Sequence, residues 1–189
     1  MRAMAIQLLR RPFTVAEYHR IAEAGILTED DRVELLGGEI VQMTPIGSWH
    51  AACVARLTHL FVGRLQGRAQ VNVQNPIHLS EHSEPQPDLA LLHPRPDFYA
   101  HAHPGPADVF LLVEVADTSS EVDRAVKIPL YARAGIAEVW LIALADDAVE
   151  VHRRPTAEGY QDVQRVRRGG QLAPQALPDV SVGAAEILG

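Results

Sequence analysis

Asp108-Val-Phe-Leu-Leu-Val-Glu114-Val-Ala116 decides how this chain is read. Val109 to Val115 is apolar and rich in β-branched residues, with one exception. A run of that length and composition reads as a strand covered on both faces. The exception is Glu114, and a carboxylate inside a buried strand is costly unless a cation, a metal or hydrogen bonds offset it. Upstream, Pro87-Asp88-Leu-Ala-Leu-Leu92 is a second short apolar strand with an acid at its start. Suppose the two strands pair antiparallel with Asp88 opposite Glu114. Leu92 then faces Phe110, and the acidic Cβ atoms lie about 4.5–5.5 Å apart. Carboxylates so close repel, and a divalent cation between them removes the repulsion. Oxygen ligands alone suit Mg²⁺ or Mn²⁺ better than Zn²⁺.

The cations are lopsided: sixteen arginines and a single lysine, Lys127, thirteen residues beyond Glu114. Lysine is a compact, tunable point charge, whereas arginine is effectively never a proton donor or acceptor. Thr118 or Ser119 is expected to cap a helix running to about Ala134, with Gly135 beyond it. On that helix Asp123, Lys127 and Tyr131 share one face. The face either carries Lys127 to the two acids or leaves a surface Asp–Lys pair worth little. Pro129 predicts a bend in the axis. A divalent ion that acidifies water and neutralises charge on phosphate, beside an ammonium group, is equipment for phosphodiester hydrolysis.

The remaining chain supplies a scaffold. Thr14-Val-Ala-Glu17 is a capping box opening a helix to about Ala24, and Val15, Tyr18, Ile21 and Ala22 form its apolar stripe. Arg32 to Met43 reads as a β-hairpin turning at Gly37-Gly38. Glu34 lies within it, and half of such a strand usually faces water, so a solvated glutamate is the default. Ser48 is expected to cap a helix to about Gln66, with Trp49, Val54, Leu57, Leu60, Phe61 and Leu65 as core. His50 sits in its first turn, where a lone histidine is more often structural than a ligand. Ala69–Gln74 alternates as a half-buried strand, and Ile77–Ser80 resumes it after Pro76. Residues 93–106 form a proline-rich loop carrying His93, His101 and His103; these could bind zinc, but their spacing matches no structural zinc pattern, which favours a solvated loop. Strands follow at Ala137–Leu144, Ala148–Arg153 and Tyr160–Val166, and the segment around Leu177–Val182 packs back. Arg153, Arg154, Arg165, Arg167 and Arg168 form either a phosphate-contacting rim or, preferably, a solvated hairpin.

With 189 residues, 47% hydrophobic and 22% charged, a single globular domain over 1–189 is expected. No apolar run reaches the ~20 residues of a membrane span. No secretory signal is recognisable. Cys53 alone can make no intrachain disulfide. A cytoplasmic protein is expected. The net charge of −7 argues against a protein that grips nucleic acid with its whole surface. It leaves room for an enzyme that meets phosphate through an ion and a local arginine patch.

Glu34-Leu-Leu-Gly-Gly-Glu-Ile40, His50 at a helix start, Pro87-Asp88, Glu114-Val115, then Asp123, Lys127, Tyr131 and Gly135-Ile-Ala-Glu-Val-Trp140 follow in one order. This order resembles the Uma-type restriction endonuclease-like family of bacteria, a branch of the PD-(D/E)XK nuclease superfamily, over roughly residues 12–185. The resemblance implies an α/β (α+β) restriction-endonuclease-like core: a central mixed β-sheet flanked by helices, with an N-terminal helix and β-hairpin. It implies a homodimer cutting DNA with Mg²⁺ (or Mn²⁺), with Asp88, Glu114 and the Val115 carbonyl as metal ligands. Lys127 would be the catalytic lysine and Glu34 an auxiliary acid, with His50 and Tyr131 as further candidates. The chain departs from the superfamily pattern at Ala116, where that pattern carries lysine, and at Ile142-Ala-Leu144, where the family tends to carry an aspartate. A catalytically inactive dimer on the same fold, binding nucleic acid or regulating, is the alternative.

Overall fold

The computed structural model of the protein describes residues 10–116 and 123–189. Its centre is a six-stranded mixed sheet in the order β3-β4-β5-β6-β7-β8. The strands are β3 (Gln70–Val73), β4 (Leu89–Leu92), β5 (Val109–Ala116), β6 (Glu138–Ala143), β7 (Ala148–Thr156) and β8 (Gly159–Arg167). Neighbours are antiparallel except β5 and β6, which run parallel. A parallel pair needs a crossover, and here it carries a π-helical turn (Asp123–Lys127) leading into α3 (Ile128–Arg133). The expected capping by Thr118 or Ser119 lies outside the described residues. Pro129 falls in the first turn of α3, where the π-helical turn gives way to α-helix. The bond that its missing N–H cannot make thus falls where the helix changes type.

The two sides of β5 face different layers. Leu111, Val113 and Val115 join α2 (Ser48–Leu65) and the C-terminal segment in one apolar core, with Leu57, Phe61, Trp140 and Ile187. Leu112 and Ala116 join Ile128, Tyr131 and Ile136 in a second core on the opposite face. Glu114 has the parity of the second face, toward α3. The C-terminal segment adds β9 (Gln171–Leu172), β10 (Val182–Gly183) and α4 (Ala184–Leu188), held to α2 by Arg56 donating to the carbonyls of Ile187 and Leu188.

The N-terminal part forms a third unit beside the sheet. α1 (Val15–Glu23) opens on the expected Thr14–Glu17 capping box. Only Val15 of its stripe is buried, and Tyr18 donates instead to the Val33 carbonyl, 3.0 Å away. β1 (Val33–Leu36) and β2 (Glu39–Gln42) form the hairpin, turning through Gly37 (φ 59°) and Gly38 (φ 83°). That two-residue turn requires positive φ at both positions, and a Cβ on Gly38 would lie 2.3 Å from Pro12 Cβ.

Three expectations are corrected here. Gly47, not Ser48, is the N-cap of α2. Trp49 is 71% exposed rather than core, because the first turn of α2 reaches past the strand ends to the level of Asp88. Ile77–Ser80 forms no strand, although Ile77 and Leu79 are buried.

Candidate active site

β4 and β5 pair in the anticipated register: Leu89 faces Val113, Ala90 faces Leu112 and Leu91 faces Leu111. A bulge between Leu91 and Leu92 then sets Leu92 opposite Val109, not Phe110. The bulge lies at the far end of the pair, so it leaves the acidic end undisturbed. Asp88 sits one residue before β4, level with Glu114 by continuation of the register. Being off the strand, its carboxylate reaches between layers. Oδ2 accepts the Val115 backbone N–H at 2.8 Å and contacts His50 Nε2 of α2 at 3.0 Å, while Oδ1 accepts Gln74 Nε2 at 3.2 Å. Asp88 remains 9% exposed.

Glu114 and Glu34 meet the lysine. Lys127 Nζ lies 3.1 Å from Glu34 Oε1 and 3.4 Å from Glu114 Oε1. All three side chains are buried, at 7%, 5% and 2% exposure for Lys127, Glu34 and Glu114. Tyr131 donates its hydroxyl to Glu114 Oε1 at 2.5 Å. Lys127 and Tyr131 therefore share a face as expected; the side chain of Asp123 lies outside the described residues. The default of a solvated Glu34 is overturned. Residues 83–86 pair along the edge of β1, bridged through Leu35 and Glu84, so that the Gln86 backbone N–H donates to Glu34 Oε2 at 2.9 Å while Lys127 lies against Oε1.

These groups line one cleft of about 130 Å³, whose wall also includes Met43 to Gly47 and exposed Arg32. Glu34, His50, Asp88, Glu114, Val115 and Lys127 all contribute to its wall. The structure thus brings Glu34, His50, Asp88, Glu114, Val115 and Lys127 to one cleft, with Tyr131 bonded to Glu114. Gln74 and Gln86 were not anticipated. Neither carries a sequence signal: only the fold brings the Gln74 side-chain amide to Asp88 and the Gln86 backbone N–H to Glu34.

The donor set fits a hard divalent cation. The carboxylates of Asp88 and Glu114 present oxygen, and Val115 lines the same cleft. No third acid or histidine of the cleft joins them in a tight cluster, since the one set of three such ligand atoms within 4.8 Å among the described residues lies elsewhere. A two-carboxylate site leaves most of the coordination shell to water, as Mg²⁺ prefers.

The C-terminal arginines are largely engaged elsewhere. Arg153 pairs with buried Glu138, Arg165 with Asp146 and Arg168 with Asp147. His93 stacks on Phe110, with ring centroids 3.9 Å apart, away from His103.

A family model described as Uma2, putative restriction endonuclease, matches residues 15–185. The chain belongs to the Uma2 family. No curated protein matches it significantly. Among solved structures, a putative nuclease of the DUF820 family from Anabaena variabilis superposes with a TM-score of 0.71 at 15% identity. That match covers 94% of this chain and 98% of its counterpart. At such low identity the likeness speaks for the fold: a mixed central sheet with flanking helices, as in this Uma2 protein. No helix among the described residues is long and apolar enough to cross a membrane.

Proposed function

We propose that this protein is a Mg²⁺- or Mn²⁺-dependent endonuclease that hydrolyses DNA phosphodiester bonds, working as one PD-(D/E)XK-type domain in the cytoplasm. The observation that carries the reading is the sole lysine buried against two acids in the cleft that also holds Asp88. Asp88, Glu114 and the Val115 carbonyl would hold the ion, which when bound supplies an acidified water and neutralises charge gathering on the phosphate.

The chain's own groups have separable tasks. Lys127 presents a fixed ammonium toward a phosphate oxygen, stabilising charge in a site shielded from water. Glu34 anchors that ammonium, and the Gln86 N–H anchors Glu34. Tyr131 fixes the rotamer of Glu114; His50 and the Val115 N–H fix that of Asp88. Arg32, exposed at the rim, is placed to meet the backbone of an incoming strand. The lysine comes from the crossover rather than from the position of Ala116, and the π-helical turn ending at Lys127 directs it inward. For a homodimer, exposed Ile46, Ala51, Ala55 and Val62 offer an apolar stripe along α2.

The test is cleavage of supercoiled plasmid by purified protein with Mg²⁺ or Mn²⁺. Ion-dependent nicking is expected, lost in Asp88→Asn and in Lys127→Ala. Absence of cleavage of any DNA form under either ion would instead favour the inactive-dimer reading, which the acidic net charge and the engaged C-terminal arginines support.

A further inference from the structure

Beside the hairpin, three imidazoles from separate segments of the chain gather around one carboxylate. His19 comes from α1, His78 from the segment after β3, Glu84 from the strip that pairs with Leu35, and His103 from the loop between β4 and β5. One ligand atom each from His19, Glu84 and His103 lie within 4.8 Å of one another. His19 Nε2 is 2.6 Å from Glu84 Oε1, and His78 Nδ1 is 3.5 Å from Glu84 Oε2. The rings of His19 and His103 stand edge to face, with centroids 6.2 Å apart. Glu84 is only 3% exposed, and its ion-pair partners among the described residues are imidazoles, not arginine or lysine. A buried carboxylate surrounded by imidazole nitrogens rather than by a guanidinium or ammonium group presents a set of metal-ligand atoms, and a divalent ion among them would complete it.

We propose that His19, Glu84 and His103 bind a Zn²⁺ ion, with His78 as the fourth donor, forming a clamp separate from the acidic cleft. Two or three imidazole nitrogens and one carboxylate oxygen form a donor set that suits zinc rather than Mg²⁺. Ligands 2.0–2.1 Å from a tetrahedral zinc stand roughly 3.3 Å apart. For His19, Glu84 and His103, whose ligand atoms already lie within 4.8 Å of one another, this needs only side-chain adjustment, chiefly opening the short His19–Glu84 contact; His78, 3.5 Å from Glu84 but outside that set, would have to swing in. The backbone is already tied in place: Glu84 N–H donates to the Leu35 carbonyl at 2.8 Å, and His78 N–H to the Pro104 carbonyl at 2.9 Å. The ion would pin α1 to the β4–β5 loop and to the strip whose Gln86 N–H holds Glu34. It would thereby stiffen the support of the cleft from behind, whether or not the cleft cuts DNA.

The clamp is tested on untagged, chelator-treated protein with ZnCl₂, by calorimetry and by competition with a chromogenic chelator, and with Co²⁺ as a spectroscopic substitute. One ion per chain with sub-micromolar affinity, and an intense visible Co²⁺ band of tetrahedral type, are expected. Saturating zinc should raise the unfolding midpoint by roughly 5–10 °C. His103→Ala, at an exposed loop position that leaves folding intact, should weaken zinc binding at least tenfold, as should His19→Ala, while Asp88→Asn binds zinc like the parent. Undiminished binding in His103→Ala, loss confined to Asp88→Asn, or no binding tighter than about 10 µM by the parent would each overturn the proposal.

Discussion

Replacing Lys127 with methionine keeps most of the side chain's volume and removes its charge. The ammonium lies 3.1 Å from Glu34 and 3.4 Å from Glu114, with all three groups nearly sealed from solvent. At an effective dielectric constant of about 20, each contact is worth about 5 kcal/mol of Coulomb attraction. Desolvating three charges cancels much of that, so the pair energies do not add up to net stability. Removing one partner is different, because it strands two buried carboxylates that face each other across the vacated space. Breaking a buried ion pair in this way typically costs about 3–5 kcal/mol. For a chain of 189 residues, about 3 kcal/mol lowers the unfolding midpoint by roughly 6–12 °C. The loss should shrink when Mg²⁺ is added, since the ion compensates the carboxylates that the ammonium no longer serves. Lys127→Met combined with Glu34→Gln should recover part of the loss without any ion. Calorimetric or fluorescence melts with and without Mg²⁺, paired with the plasmid assay, measure all of this. A variant that melts like the parent, responds no differently to Mg²⁺ and still nicks DNA would refute the reasoning.

Tyr131→Phe removes the hydroxyl that holds Glu114; a buried hydrogen bond to a charged group is worth about 1.5–3 kcal/mol, so both the melt and the plasmid-nicking rate should fall. Arg153→Leu leaves Glu138, which is fully buried, without its guanidinium, and should cost about 3–5 kcal/mol in chemical denaturation while leaving the Mg²⁺ response of the melt unchanged. Burial holds the His152 imidazole below its ordinary value, with Glu150 opposing this more weakly. Below about pH 6.5 the unfolded chain therefore takes up a proton that the folded chain refuses, and stability declines from there toward the depressed native value. His152→Gln should flatten that part of a midpoint-against-pH profile between pH 5 and 7, and an unchanged profile would show that burial of this ring is not what drives the decline.

The strand pairing at the centre was legible because it rests on period and polarity: two apolar runs, each with an acid at a matching end, admit one register that buries both runs. The bulge at Leu91 was not legible. It arises where the His93 N–H meets the Asp108 carbonyl, beyond the end of β4, and loop closure of that kind leaves no mark on apolar periodicity. Glu34 was misjudged for a related reason. Alternation says that the two faces of a hairpin differ, but which face is dry depends on what lies against it. Here Lys127 from the crossover, and the Gln86 N–H some fifty positions from Glu34, take the place of water. Trp49 has the helical phase of Cys53 and Leu57 and would be core on any infinite helix; it lies in the one turn that outruns the sheet. That overhang is also what lets His50 reach Asp88, so the same end effect that exposes the tryptophan recruits the histidine. The grouping of His103 with His19 rather than with His93 was equally out of reach, since it depends on where α1 docks.

A buried carboxylate is not by itself the mark of a reactive site, and this chain contains its own control. Glu138 is more deeply buried than Glu114, and it too lies on a core strand. Its Oε1 accepts from Arg153 and from the Trp140 indole, and its Oε2 accepts from the Gln175 N–H. Every one of those donors is fixed, none opens onto the cleft, and a guanidinium neither yields nor takes a proton at neutral pH. Glu138 is therefore a joint between β6, β7 and the C-terminal segment. Glu114 differs in company rather than in depth. Its cation is an ammonium shared with a second acid, and a third acid one strand over lines the same opening. Glu34 and Glu114 share one lysine and Asp88 lines the same space, so three carboxylates stand against the Lys127 ammonium and the Arg32 guanidinium at the rim. That imbalance, which Glu138 lacks, is what a divalent cation would correct.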